Sequence, residues 1–151
     1  MVKRLSKALL FTLIMALISL PAMAAHAPTP DSLAGVTVVG DEWVKDNYKK
    51  MKVYDVRKKA EYVEGHVAGS ISVPYDEKSE KDVNFDASKD KFDTGAFPAN
   101  KNESFVLYCN GPMCWKSYKA AILLMKEGYK KMFWYRNDGF PSWKEKGYPV
   151  E

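Results

Sequence analysis

The chain has 151 residues, of which 46% are hydrophobic and 28% charged, and its formal net charge is +4. This length predicts one domain with enough chain to bury a core. Three of the cations, Lys3, Arg4 and Lys7, precede an apolar run, and without these three charges the net charge falls from +4 to +1. The rest of the chain does not concentrate Lys and Arg on one element, so a nucleic-acid partner is excluded.

The amino terminus has the pattern of a Sec-type signal peptide. A basic segment is followed by the apolar residues 8–20 and then by Pro21-Ala22-Met23-Ala24. The apolar run is shorter than the ~20 residues that span a bilayer, and its small flanking residues suit a signal peptidase. We therefore expect residues 1–24 to be cleaved after Ala24, leaving 127 of the 151 residues. The product is predicted to be periplasmic or secreted and free of the membrane. An uncleaved amino-terminal anchor is the alternative.

The remaining chain alternates predicted strands and helices. Residues 25–35, rich in Ala, Pro, Thr and Ser, are expected to form a flexible leader, and residues 36–151 the domain. Apolar and β-branched runs predict strands at residues 36–39, 51–56, 70–73, 104–108 and 132–135. Helices are predicted at residues 41–50, 58–64, 115–127 and 141–146. Residues 75–102 are polar and without a clear period, which indicates a long surface excursion with little regular structure.

This alternation predicts an α/β domain with a central parallel sheet and helices on both of its faces. Residues 104–108 are a continuous apolar run, which suits a central strand covered on both sides. The helix at residues 115–127 is amphipathic, with Lys116, Lys119 and Lys126 expected on its solvent side. In parallel sheets the reactive site lies at the carboxyl ends of the strands, and Cys109 follows the central strand directly.

Cys109 is the candidate catalytic residue. A short loop joins it to the next helix, so backbone N–H groups and the positive end of that helix are expected to face its sulfur. We expect this setting to lower the pKa of Cys109 and to favour a thiolate or persulfide. A buried, inert cysteine at a strand end is the alternative. The expected loop and substrate-binding residues are Asn110, Gly111, Pro112, Met113, Cys114 and Trp115.

Three motifs, in order along the chain, resemble the rhodanese family. They are Asp55-Val56-Arg57 continuing through residues 61–70 to Val73-Pro74, then Cys109, and finally Gly139, Trp143 and Gly147-Tyr148-Pro149-Val150. The resemblance implies a double displacement without a cofactor. Cys109 takes a sulfane sulfur from a small donor, thiosulfate or polysulfide, and passes it to a thiol or cyanide acceptor.

The active loop departs from the family pattern. The typical loop has basic residues beside the cysteine and Arg at its last position, where this chain has Asn110 and Cys114. A dianionic donor gains little from backbone donors alone, so thiosulfate turnover is predicted to be weak. The Cys-Asn-Gly-Pro-x-Cys-Trp loop is similar to that of a subgroup of exported rhodanese-like proteins.

Cys114 has three interpretations. It is a second sulfur acceptor, a thiol that closes a disulfide with Cys109, or a small buried residue at the helix start. A persulfide on Cys109 invites attack by a nearby thiol, which favours a redox role. The sequence therefore predicts a sulfurtransferase or sulfur carrier. The alternative is a non-enzymatic rhodanese-like module that binds a partner protein or acts as a thiol redox pair.

The other polar residues of these motifs are predicted to be structural. His66 follows Gly65 in a turn, and Arg57 and Glu61 stand four apart and are expected to pair. Trp115, Trp134 and Trp143 are expected in the core or the pocket wall. No metal is predicted, since two cysteines and a distant His66 do not make a zinc site. A phosphatase needs an Arg after its cysteine loop, and none follows until Arg136.

Overall fold

The computed structural model describes residues 26–151, so the predicted signal peptide, residues 1–24, lies outside the described residues. Within residues 26–151, five strands form one sheet, in the order β1-β5-β4-β2-β3. They are β1 (Thr37–Val39), β2 (Lys52–Asp55), β3 (Ile71–Ser72), β4 (Phe105–Tyr108) and β5 (Met132–Tyr135). All neighbouring strands are parallel. The predicted parallel α/β architecture is confirmed.

In the described part of the chain, four α-helices connect or follow the strands: α1 (Asp41–Asn47), α2 (Lys59–Glu64), α3 (Trp115–Lys126) and α4 (Gly139–Glu145). Each corresponds to a predicted helix, although α1 ends earlier and α4 begins earlier than expected. Across residues 26–151, no helix is both long enough and apolar enough to cross a bilayer.

The core lies on both faces of the sheet. The residues of β4 are all fully buried and point alternately to either side, as expected of a strand with period two. Phe105 and Leu107 pack with the α3 side chains of one face. Val106 and Tyr108 pack on the other face with side chains of α1 and α4, among them Trp143. The predicted helices on both faces are therefore confirmed.

The excursion at residues 75–102 contains only two short 3-10 helices, Ala87–Lys89 and Thr94–Ala96, among its described elements. It is nevertheless fixed to α3 through Lys119, which was predicted to face solvent but is completely buried. The ammonium of Lys119 lies 3.0 Å from the carboxylate of Glu77 and 2.8 Å from the hydroxyl of Ser79. The prediction failed because the excursion folds over the side of α3 that the helical period assigned to water.

Asp90 completes this buried polar cluster. Burial alone would raise the pKa of its carboxyl group, but hydrogen bonds from Ser79, Tyr75 and the Lys78 backbone outweigh burial and hold it at about 2. Asp90 therefore stays ionised beside Lys119, 3.9 Å away. A buried cation between two carboxylates has the partners that such a charge requires.

Residues 27–31, which we call the amino-terminal strap, lie against the start of α3 and the loop before it. Thr29 is buried, and its backbone N–H donates to the carbonyl of Pro112 at 2.8 Å. Arg136 donates to the carbonyl of Thr29 at 2.6 Å, and the indole of Trp115 donates to the carbonyl of Ala27 at 2.9 Å. This part of the expected flexible leader is thus packed on the domain.

Candidate active site

The central strand β4 delivers Cys109 to the carboxyl edge of the sheet. The active loop, residues 110–114, then turns tightly into α3, and the N–H of Cys114 donates to the carbonyl of Gly111 at 3.0 Å. Cys109 is buried beneath this loop with 1% of its surface exposed, whereas Cys114 is half-buried. Met113, at the tip, is 54% exposed. The two thiols therefore lie at different depths.

Among residues 26–151, two polar atoms contact the sulfur of Cys109. It lies 3.0 Å from the hydroxyl oxygen of Ser117 and 3.2 Å from the carbonyl oxygen of Cys114. Ser117 accepts a hydrogen bond from the indole of Trp134 at 2.9 Å, which leaves its own hydroxyl hydrogen free to donate to the Cys109 sulfur. The Ser117 hydroxyl can thus stabilise negative charge on the Cys109 sulfur, whereas the Cys114 carbonyl accepts a hydrogen bond from the protonated thiol.

Ser117 was not identified from the sequence. The available signal was its place in the first turn of α3, three residues after Cys114, where two side chains share one side of a helix. Ser117 is 2% exposed and joins three elements, β4, α3 and β5, through Cys109 and Trp134. It is a positioning residue for the sulfur of Cys109.

The two thiols differ in acidity. Burial raises the pKa of Cys109 well above its usual value, and the hydrogen bond to Cys114 adds to this increase. The pKa of Cys114 is lowered to about 7 by its hydrogen bond with the Cys109 thiol, by the N–H groups of Asn110 and Lys116, and by the charge of Lys116. The expected lowering of the Cys109 pKa is therefore wrong for the reduced pair, because the loop amides stabilise the thiolate of Cys114 instead.

The start of α4 holds the active loop in shape. Gly111 and Gly139 both have positive φ, +94° and +77°, and their backbones touch. A Cβ on Gly139 would lie 2.3 Å from the nitrogen of Gly111, closer than side-chain atoms approach backbone. The N–H of Phe140 also donates to the carbonyl of Cys109 at 3.1 Å. Glycine is therefore required at position 139 by both conformation and space.

The predicted pair between Arg57 and Glu61 is wrong. Arg57 instead pairs with Asp55, with its closest contact at 2.6 Å, and donates to the carbonyl of Gly65 at 2.8 Å. Glu61 accepts a hydrogen bond from the side-chain amide of Asn110 at 2.6 Å. The four-residue spacing brings two side chains together only when both residues are helical, and Arg57 precedes α2, which begins at Lys59. Arg57 is thus structural, and Glu61 fixes the first residue of the active loop.

His66 is structural, as predicted. Its ring stacks on Tyr62 with 3.6 Å between ring centres, and its Nδ1 lies 2.8 Å from the carbonyl of Tyr62. Trp115, Trp134 and Trp143 are all buried, as expected of core aromatics. Within residues 26–151, no group of three or more His, Cys, Asp or Glu side chains is arranged to hold a metal ion.

Two cavities lie near the active loop, one lined by its residue Asn110 and the other by Lys116, which follows the loop in α3. One of about 410 Å³ is lined by Asn110 and by the carboxylates of Glu61 and Glu64, among others. The second, of about 390 Å³, is lined on the α3 side by Lys116 and on the opposite side by Lys58 and Lys59. The first cavity carries charges of both signs, whereas lysines outnumber carboxylates in the second.

A family model described as a rhodanese-like domain matches residues 41–146, which include the active loop and the sheet except β1. The chain belongs to the rhodanese family. This family includes sulfurtransferases, and many of its members are non-catalytic. A comparison with curated proteins finds no match for the rhodanese-like chain.

Solved structures share the rhodanese fold with this chain. A rhodanese-related protein from Thermoplasma volcanium is 22% identical, with a TM-score of 0.54, and the match covers 76% of this chain and 97% of that one. A protein from Bacillus halodurans is 23% identical with a TM-score of 0.57, covering 76% of each chain. A thiosulfate sulfurtransferase from Pseudomonas aeruginosa is 16% identical with a TM-score of 0.54, covering 77% of this chain and 20% of that one. These identities establish the fold alone.

Proposed function

We propose that this rhodanese-family protein is an exported sulfurtransferase or sulfur carrier that moves a sulfane sulfur through a persulfide on Cys109. The observation that carries the proposal is the contact geometry of Cys109 at the end of the central strand. Its sulfur lies 3.0 Å from the hydroxyl of Ser117 and 3.2 Å from the backbone carbonyl of Cys114, and the Cys114 thiol affects its pKa. A nucleophile beside a base that another group orients is the usual arrangement for covalent catalysis.

The first half-reaction needs a base, because burial keeps Cys109 protonated. Cys114, with a pKa of about 7, is partly ionised at neutral pH and takes the proton of Cys109 as it attacks. The Cys109 sulfur forms a bond with the sulfane sulfur of the donor, and the sulfur–sulfur bond of the donor breaks. The donor's remaining group, a thiolate or sulfite, leaves with the electron pair of the broken sulfur–sulfur bond. Ser117 donates to the sulfur that gains charge.

In the second half-reaction the acceptor, a thiolate or cyanide, attacks the terminal sulfur of the persulfide. The bond from that sulfur to Cys109 breaks, and Cys109 leaves with the electron pair as a thiolate that recovers its proton from Cys114. The two half-reactions involve no net oxidation, and no cofactor is needed. The exposed position of Met113 leaves the loop tip open to an incoming acceptor.

The experiment that tests this proposal is intact-mass measurement after treatment with polysulfide or thiosulfate. A carrier gains one sulfur atom, and cyanide removes it as thiocyanate. A chain that gains no sulfur from either donor contradicts the proposal.

A second candidate function is a thiol redox module, which the hydrogen bond between the two thiols favours. In this case an oxidant takes two electrons from the pair, and a bond forms between Cys109 and Cys114. The same mass measurement separates the candidates, because disulfide formation removes two hydrogen atoms and adds no sulfur. A non-enzymatic module that binds a partner protein would show neither change.

The acidity of Cys114 predicts the pH dependence of sulfur loading. The base is the deprotonated form of Cys114, so the loading rate should rise as the pH increases through about 7, and level off above that value. In Cys114→Ser, the rise should move to higher pH, because Cys109 must then lose its own, raised-pKa proton. Stopped-flow or quenched mass measurements between pH 5.5 and 9 would check this. An identical pH profile for both proteins would contradict the base role of Cys114.

Export is part of the proposal and is supported by the charged, apolar and small-residue pattern of residues 1–24. Amino-terminal sequencing of the protein from a periplasmic extract should begin at Ala25. A chain that still begins at Met1 and sediments with membranes would contradict cleavage.

A further inference from the structure

The cavity on the Cys114 side of the active loop is basic. Its volume is about 390 Å³, and it lies between the start of α2, residues 74–78 after β3, and the first turn of α3. Four ammonium groups and two carboxylates line it. They belong to Lys58, Lys59, Lys78 and Lys116, and to Asp76 and Glu77.

Both carboxylates already have cationic partners. Lys78 lies 3.2 Å from Asp76, and the buried Lys119 lies 3.0 Å from Glu77. Within residues 26–151, the other three lysines, Lys58, Lys59 and Lys116, form no ion pair. The cavity therefore presents three uncompensated positive charges to whatever enters it.

Lys116 connects this cavity to the reacting sulfurs. Its ammonium donates to the carbonyl of Tyr75 at 2.7 Å, which fixes it in the cavity wall. Its charge contributes to the lowered pKa of Cys114, and the next residue, Ser117, contacts the sulfur of Cys109. An anion in the cavity would thus contact the residue next to Ser117, while Cys109 itself is not part of the cavity lining.

The opposite cavity, beside Asn110, is less suited to bind an anionic donor. Its lining sets the carboxylates of Glu61 and Glu64 against the single ammonium of Lys144, and its guanidinium, Arg57, is already paired with Asp55. The excess of positive charge is therefore on the Cys114 side, where an anionic donor is attracted more strongly than on the Asn110 side. This difference in charge favours the approach of an anionic donor to Cys109 from the side of Cys114.

We propose that the lysine cavity binds the carboxylate of an organic persulfide donor, in which a short carbon chain separates the charge from the sulfane sulfur. The inference rests on the proposed sulfur-loading function and assigns its donor class. A cavity of this size exceeds what an inorganic dianion fills, and its lysines are set apart from the buried sulfur of Cys109. A donor with separated charge and sulfur reaches both, which also accounts for the weak thiosulfate turnover expected from the active loop.

The transfer step balances without an oxidant. Cys109 attacks the terminal sulfur of the donor R–S–SH, the bond from Cys109 to that sulfur forms, and the R–S to sulfur bond breaks. The thiolate R–S⁻ leaves with the electron pair and takes the proton held by Cys114. The carboxylate stays bound to the lysines throughout the transfer.

The test compares two donors that differ only in charge, the persulfides of N-acetylcysteine and of N-acetylcysteine amide. Loading rates at low donor concentration are measured by intact mass for the full chain and three variants: Lys116→Ala, the double variant Lys58→Ala/Lys59→Ala, and Lys144→Ala as a control. Lys144 lines the opposite cavity. The ratio of the two rates removes any general effect of a variant on the thiols or on folding.

We expect the wild-type chain to load faster from the carboxylate donor, and Lys116→Ala and the double variant to lower the ratio about fivefold each. Lys144→Ala should leave the ratio unchanged. If both donors load the wild-type chain and the lysine variants leave the ratio unchanged, the lysine cavity is not the carboxylate site, while the sulfur-loading function stands. If neither organic donor loads the wild-type chain although polysulfide does, the donor class is wrong while the sulfur-loading function stands; if polysulfide also fails, both proposals are overturned.

Discussion

Cys109→Ser is expected to take up no sulfur from polysulfide, with a loading rate reduced about a thousandfold or more. A serine hydroxyl is a far weaker nucleophile than a thiol, and Cys114 cannot replace Cys109 because its sulfur lies at the helix start, above the buried position that Ser117 contacts. Cys114→Ser should still load to completion, although about a hundredfold more slowly at neutral pH, because it retains the nucleophile and loses the base.

The wild-type chain and Cys114→Ser should also differ in the lifetime of the persulfide on Cys109. In the wild-type chain, the thiolate of Cys114 can displace the terminal sulfur by forming a disulfide with Cys109. Cys114→Ser has no such thiol, so its persulfide should persist longer after the donor is removed. Intact-mass time courses, with cyanide added at intervals, measure both the extent and the lifetime of loading. Loading retained in Cys109→Ser but lost in Cys114→Ser would reverse the assignment and make Cys114 the nucleophile.

Gly139→Ala is expected to lower the free energy of unfolding by about 3 kcal/mol or more. One part is the left-handed backbone at position 139, which costs a side chain about 1–3 kcal/mol. The other part is the close approach, since the added methyl group would lie 2.3 Å from the nitrogen of Gly111. Relief of that contact requires the active loop to move, so sulfur loading should fall about a hundredfold even in the folded fraction.

Gly128→Ala is the matched control for this prediction. Gly128 also has positive φ, +95°, but an added Cβ there meets nothing within 4 Å. This variant should lose about 1 kcal/mol of stability through backbone strain alone and keep its loading rate. Urea denaturation and the mass assay measure the two effects. Equal losses in both variants would show that the contact between Gly139 and Gly111 does not determine the shape of the active loop.

The parts of the fold that the sequence predicted depend on local patterns. The continuous apolar run of β4 needs no distant contact to be recognised as a buried strand, and it fixes where Cys109 emerges. The amphipathic period of α3 and the motif at Gly139 are likewise recognised from residues close together in the sequence. These features are sufficient to derive the parallel sheet and the position of the candidate nucleophile.

The parts that the sequence did not predict depend on contacts between distant segments. Lys119 is buried because residues 40 positions earlier, at Ser79, fold over α3. The acidity of the two thiols depends on which of them the loop amides face, and this is set by the turn between Gly111 and Cys114. Ser117 can position the sulfur of Cys109 because Trp134, on β5, orients its hydroxyl. Each of these features arises from tertiary packing.

The amino-terminal strap affects how the protein can be handled. Because Thr29 bonds to Pro112 and Arg136, any chain joined ahead of the strap begins within a few residues of the active loop. An affinity tag added there by the experimenter would share the immediate surroundings of the loop. At the other terminus, Glu151 exchanges backbone hydrogen bonds with His66, away from both thiols. A tag placed there would disturb the turn at His66 and leave the approach to Cys109 open.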